Sequence, residues 1–198
     1  MRFCLIVLLG LTACRSHGKD PGSPAQPSSQ AQIETAREIS CRSFVQNFYD
    51  WYETPIGSDA DHKLAHLASE DVIQLKPGLF SDTLLNLLQG DGEAKAKAKG
   101  DLVGLEFDPF FNSQDPSPKF QVQSVRISGD HCRAVVRGME AGQLREDVEP
   151  ELRAESGRWI FVNFHYDPGS STTDVNLIDQ LLTLRANRAE DKRKGAHR

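Results

Sequence analysis

The densest set of oxygen donors in the chain is Asp108-Pro109-Phe110-Phe111-Asn112-Ser113-Gln114-Asp115. Asp108, Asn112, Gln114 and Asp115 offer oxygens from one loop, as a hard cation such as calcium or a polar ligand requires. The order lacks the Asp-x-Asp-x-Asp-Gly pattern of a calcium loop. The same residues suit an Asx-turn stiffened by Pro109 and Pro116, with Phe110 and Phe111 plugging the core, and that is the expectation. His62 and His66, with Glu70 four residues on, place two imidazoles and a carboxylate along one helical face, a spacing that can chelate zinc. Lys63 stands where a metalloprotease needs glutamate, so hydrolysis by zinc is not expected and the pair reads as exposed. His165 ends a strand two residues before Asp167 and reads as a solvated strand-end histidine. A pocket enzyme of the hydrolase or isomerase sort would draw on Asp108, Asp115 or His165 as acid and base. No Gly-x-Ser-x-Gly elbow, phosphate loop or Cys-x-x-Cys is present, and no cofactor is implied.

The elements that must position these residues run helices first and strands later. Cys41, Phe44, Val45, Phe48, Trp51 and Tyr52 recur by three and four, which predicts an amphipathic helix within 33–53, with Tyr49 at its wetter edge. A short helix is expected over 60–68. A third starts after Ser81 and carries Leu84, Leu85, Leu87 and Leu88 to a break at Gly90-Asp91-Gly92; Glu93 to Lys99 then reads as a solvated helical turn or a mobile loop. Lys119 to Ile127 alternates and then shifts phase, the mark of a bulge. Gly129-Asp130 and Glu155-Ser156-Gly157 are turns between strands. In the last strand Trp159 and Phe161 are expected on one face, with Ile160, Val162 and Phe164 on the other. A final helix follows Asp174. This is an α+β order: N-terminal helices on a curved antiparallel sheet, the cone shape of cystatin-like and nuclear-transport-factor-like domains, closed by a C-terminal helix.

The first residues read as a secretory signal: Met1-Arg2, an apolar run from Phe3 to Leu9, then small residues. That run is well short of the roughly 20 apolar residues of a membrane span. Leu11-Thr12-Ala13-Cys14 resembles a bacterial lipobox, which implies cleavage before Cys14 and acylation of Cys14. Arg15, rather than aspartate, after the cysteine favours the outer membrane. Residues 1–13 are thus the signal, 14–32 the lipidated cysteine and a Ser-, Pro- and Gln-rich linker, 33–184 one domain, and 185–198 a basic tail. After cleavage the domain keeps Cys41 and Cys132, which either form one disulfide or pack as buried free thiols. Residues 33–184 hold 14 Lys and Arg against 25 Asp and Glu, whereas 185–198 hold six against two. An acidic body disfavours nucleic acid, which binds through neutralising cations. The tail could meet anionic lipid or cell-wall polymer.

Phe44-Val45-Gln46-Asn47-Phe48-Tyr49-Asp50-Trp51-Tyr52, Leu75-Lys76-Pro77-Gly78-Leu79 and Leu105-Glu106-Phe107-Asp108-Pro109-Phe110-Phe111-Asn112-Ser113-Gln114-Asp115 precede a strand pair joined at Gly129-Asp130. Over residues 40–166 this pattern resembles the family of uncharacterised bacterial lipoproteins that includes the enterobacterial YbjP. The resemblance implies a nuclear-transport-factor-like fold and an envelope lipoprotein of unassigned activity, and it carries over no catalytic residue. The expected function is a non-catalytic module binding an envelope protein or small molecule, with a pocket enzyme and an inhibitor or immunity partner of an exported enzyme as the alternatives.

Overall fold

The computed structural model describes residues 29–53, 67–98, 103–166 and 175–196. Cys14, the signal, His62 and His66, Asp167 and Asp174 lie outside the described residues.

Helix α1 (Ser29–Tyr52) presents Cys41, Val45, Phe48, Tyr49 and Tyr52 to the core, the three-and-four spacing of one helical face. Tyr49 belongs to the buried face and not to a wet edge, because its hydroxyl finds a partner there, donating to the Phe110 carbonyl at 2.8 Å. Helix α2 (Ser69–Leu75) and a 3-10 turn (Pro77–Leu79) follow, then helix α3 (Asp82–Lys97), whose cap Ser81 accepts from the Leu84 amide.

Five antiparallel strands follow in the order β1-β2-β3-β4-β5: β1 (Lys119–Ser128), β2 (His131–Glu140), β3 (Gln143–Glu155), β4 (Arg158–Tyr166) and β5 (Val175–Asn176). Two-residue turns join β2 to β3 and β3 to β4. In the second, Ser156 and Gly157 adopt φ of 50° and 82°, the left-handed pair whose twist suits a tight hairpin. The phase shift in β1 is a register skip between Val122 and Ser124. A second skip sits in β4. Glu151 pairs with Asn163 but Leu152 with Phe161, so Val162 is an extra residue. It returns Phe164 and Tyr166 to the core side with Trp159 and Phe161, where simple alternation had put Phe164 on the opposite face.

α1 lies across one face of this sheet. Its disulfide partner is Cys132 on β2, with Cα atoms 6.7 Å apart, and Trp159 Nε1 on β4 donates to Ser40 Oγ at 3.2 Å. The C-terminal half of α1 also seals the β1 edge. Gln46 accepts from the Val122 amide (2.9 Å) and donates to the Phe120 carbonyl (3.2 Å), as a neighbouring strand would. Glu53 accepts from the Phe120 amide (2.6 Å), and Arg42 donates to the Val122 carbonyl (2.7 Å). These contacts satisfy backbone groups that would otherwise template pairing with another chain.

Several boundaries differ from the sequence reading: α1 begins at Ser29, inside the expected linker, and α3 and α4 both run on past their expected ends. α3 passes straight through Gly90-Asp91-Gly92, because Asp91 is 2% exposed and serves as a tertiary anchor. Its carboxylate accepts from the Leu105 amide at 3.0 Å and from Arg188 Nη1 at 2.7 Å. Gly104, at φ +91°, passes so close that a Cβ would lie 2.6 Å from Asp91 Oδ2. Arg188 belongs to helix α4 (Leu177–Ala196), which therefore runs through the 184/185 boundary drawn between domain and tail. α4 starts on Asn176, whose Oδ1 accepts from the Asp179 amide at 3.0 Å and whose Nδ2 donates to Asp179 Oδ2 at 2.8 Å.

Candidate functional site

The loop from Asp108 to Asp115 is organised around one carboxylate. Asp108 Oδ1 accepts from the Phe110 and Phe111 amides at 2.8 and 3.2 Å, an Asx-turn, and Oδ2 accepts from the Tyr52 hydroxyl. The turn places Phe110 and Phe111 in the core, where Phe111 stacks on Tyr52 and Phe120 with ring centres 4.5 Å from each. Its backbone carbonyls meet tyrosines from both layers. Tyr49 donates to Phe110, and Tyr166 on β4 donates to Pro109 at 3.0 Å. Three hydroxyls thus hold a polar loop inside an aromatic core, where unpaired carbonyls would be costly.

The electrostatics follow from that burial. Desolvation pushes the Asp108 carboxyl up to about 6, although the bonds from Tyr52, Phe110 and Phe111 pull it down. Burial, with the Asp108 charge close by, raises the Tyr49, Tyr52 and Tyr166 phenols further from ionisation. Glu53 is pushed up to about 7 by partial burial, against the Phe120 amide that lowers it.

The four oxygen donors do not converge. Asn112 adopts φ 54° and donates to the Asp147 carbonyl at 3.2 Å, while Gln114 and Asp115 are exposed. Asp108 borders an open groove of about 700 Å³ together with Glu70, Lys95, Phe111 and Gln114. Lys95 there is paired with Glu70 at 3.1 Å. Among the described residues no group of three or more His, Cys, Asp or Glu side chains is arranged to hold a metal ion.

His165 departs from its sequence reading. It is 4% exposed, and its Nε2 lies 2.8 Å from Glu151 Oε2. The β4 bulge explains this, since it sets His165 opposite Glu149 on the face of the sheet away from α1. Glu151 also meets His131 Nδ1 at 2.9 Å and Arg133 at 3.1 Å. Burial alone would raise the Glu151 carboxyl, but His165, Arg133 and His131 together hold it below the usual range. The neighbouring Glu149 accepts from Arg126 at 2.6 Å, and Arg137 Nε lies 2.9 Å from Asp147 Oδ1. That last contact is an ion pair without hydrogen-bond alignment, since the buried Nε has no hydrogen-bond partner. Arginines on β1 and β2 therefore face carboxylates on β3, a lattice of fixed charge across the sheet.

Asp108 is committed to its turn and to Tyr52, Asp115 is exposed, and His165 is set against Glu151. The sequence reading missed Asp91, Glu149 and Glu151, and it placed Tyr52 on the core face without its bond to Asp108. The period-two runs Arg133, Val135, Arg137 and Asp147, Glu149, Glu151 were visible, but only strand register shows that they face each other.

No family model matches the chain, and no curated protein matches it. Among solved structures, it is similar to a chain of the type VI native effector–immunity complex Tae3–Tai3 from Ralstonia pickettii. The identity is 18%, over 66% of this chain and 97% of that one, with a TM-score of 0.46.

Proposed function

We propose that the chain is an exported lipoprotein, held to an envelope membrane through Cys14, whose domain binds a protein partner. The Cys41–Cys132 disulfide carries this reading. Such bonds persist in oxidising compartments, which is where a chain opening with Leu11-Thr12-Ala13-Cys14 would be sent. The resemblance to YbjP-like lipoproteins points the same way. Binding is favoured over catalysis by what the candidate groups already do: Asp108 holds a turn and a tyrosine, and His165 holds Glu151. The face of the sheet away from α1, where Arg126 is exposed beside buried Glu149, instead offers preset charge, which confers specificity and encounter rate on a protein interface.

Cys14→Ser should move the protein to the soluble fraction and abolish palmitate labelling; labelled protein still on the membrane refutes the anchor. For the partner, immobilised wild-type domain and an Arg126→Glu variant are exposed to envelope extract. A protein retained by the first and lost by the second places binding on the sheet face. If that protein is an exported enzyme and the domain suppresses it, the role narrows to inhibition or immunity. A co-purifying small molecule in place of a protein would move the function to the groove beside Asp108.

A further inference from the structure

Charge is divided along the chain, acidic over residues 33–184 and basic after them, and the fold makes the basic part an extension of helix α4. α4 is seated in the core by Leu177 and Leu181 and tied by Arg188 to the buried Asp91. Beyond that tie, the described interactions stay within the helix. Arg193 donates to the Ala189 carbonyl at 3.3 Å, and Lys194 pairs with Glu190 at 2.7 Å. Arg185, Arg193 and Lys194 are exposed. Alongside runs a groove of about 780 Å³ between α3 and α4. Leu87, Val103 and Leu181 form its apolar part, with Lys97, Arg185 and Arg188 among its lining. Of the two acidic groups there, Glu93 and Asp191, the first is neutralised by Lys97 at 3.1 Å.

We propose that this end of the molecule, the distal half of α4 with the rim of the α3–α4 groove, docks on an anionic phospholipid bilayer. Basic segments gather at such surfaces because the leaflet's negative potential attracts each Lys and Arg. A helix fixed at Asp91 presents those charges together and at a set angle to the body. The same potential repels the acidic body, so helix end and body act jointly to orient the domain. An acyl anchor fixes only where the chain is held; a basic patch is the second signal that fixes how it lies. The inference uses the Cys14 reading to place a bilayer nearby, but the lipid contact itself is independent of acylation.

The test uses residues 15–198, which contain every described element and cannot be acylated. Sedimentation is measured with vesicles containing phosphatidylglycerol and with pure phosphatidylcholine vesicles at low salt. Binding is expected on the anionic vesicles alone, with release by high salt. Arg193→Glu/Lys194→Glu should weaken it about fivefold or more for each residue, while Lys119→Glu/Arg158→Glu, an equal charge change on exposed strand positions, should weaken it far less. Should the first pair disturb folding by circular dichroism, Arg193→Gln/Lys194→Gln is expected to weaken binding in the same direction. No sedimentation with anionic vesicles, equal sedimentation with both lipids, or equal losses for the two variant pairs overturns the proposal. Palmitate labelling at Cys14 is scored separately, so anchor and helix end can each fail alone.

Discussion

Asp108→Asn separates the electrostatic cost of the buried carboxylate from its role in the turn. Asparagine keeps an oxygen for the Phe110 and Phe111 amides and places an amide group toward the Tyr52 hydroxyl, which can accept from it. It cannot ionise. In the folded chain, burial holds the Asp108 carboxyl at about 6, against an ordinary value of 3.8. The folded state therefore binds this proton more tightly than the unfolded state. Its contribution to stability is greatest below the ordinary value, falls as pH rises through the interval up to about 6, and is flat above. Integrated over that interval, the loss is at most about 3 kcal/mol, and screening from the open groove argues for about half of it. Urea unfolding, followed by the fluorescence of Trp51 and Trp159, is run on both proteins from about pH 4 to about pH 7.5. Taking the difference between the proteins at each pH cancels other titrating groups, Glu53 included. The variant should gain about 1.5–3 kcal/mol relative to wild type across the range. A difference that is flat, or that grows in favour of wild type as pH rises, would show that Asp108 is not held uncomfortably in the fold and would refute the desolvation account.

Reducing the Cys41–Cys132 bond, which spans 91 residues, should cost up to roughly 4–5 kcal/mol from restored freedom of the unfolded chain; urea midpoints with and without reductant measure it, and unchanged midpoints after verified reduction would contradict it. Glu151→Gln should cost about 1–3 kcal/mol at neutral pH by removing the charged partner of buried His165. Because the Glu151 carboxyl lies below its ordinary range, the stability it confers is present above that range and is lost as pH falls through its folded value. The variant should accordingly show a shallower acid-unfolding limb by circular dichroism. Gly104→Ala combines a strained positive φ with a Cβ driven into Asp91, and should cost about 2 kcal/mol or more; an unchanged melting temperature would mean the loop and Asp91 separate freely.

The sequence by itself determined the α+β order, the core face of α1 apart from Tyr49, the β1 bulge and the turns at Gly129-Asp130 and Glu155-Ser156-Gly157. Each depends on periodicity or on glycine at a tight turn, properties that are local to a few residues. The Asp108 loop was likewise legible as an Asx-turn with two buried phenylalanines, since aspartate, proline and aromatics in that order already restrict the backbone. Only the tertiary structure decided the rest. Asp91 looked like part of a helix break between two glycines; Arg188, 97 residues away, makes it an anchor and keeps the helix whole. His165 looked solvated until the extra residue in β4 set it against Glu151. Tyr49 looked wet until a carbonyl 61 residues away took its hydroxyl. In each case a polar group's fate depends on a partner distant in the chain, because burying such a group is tolerable only once that partner has arrived.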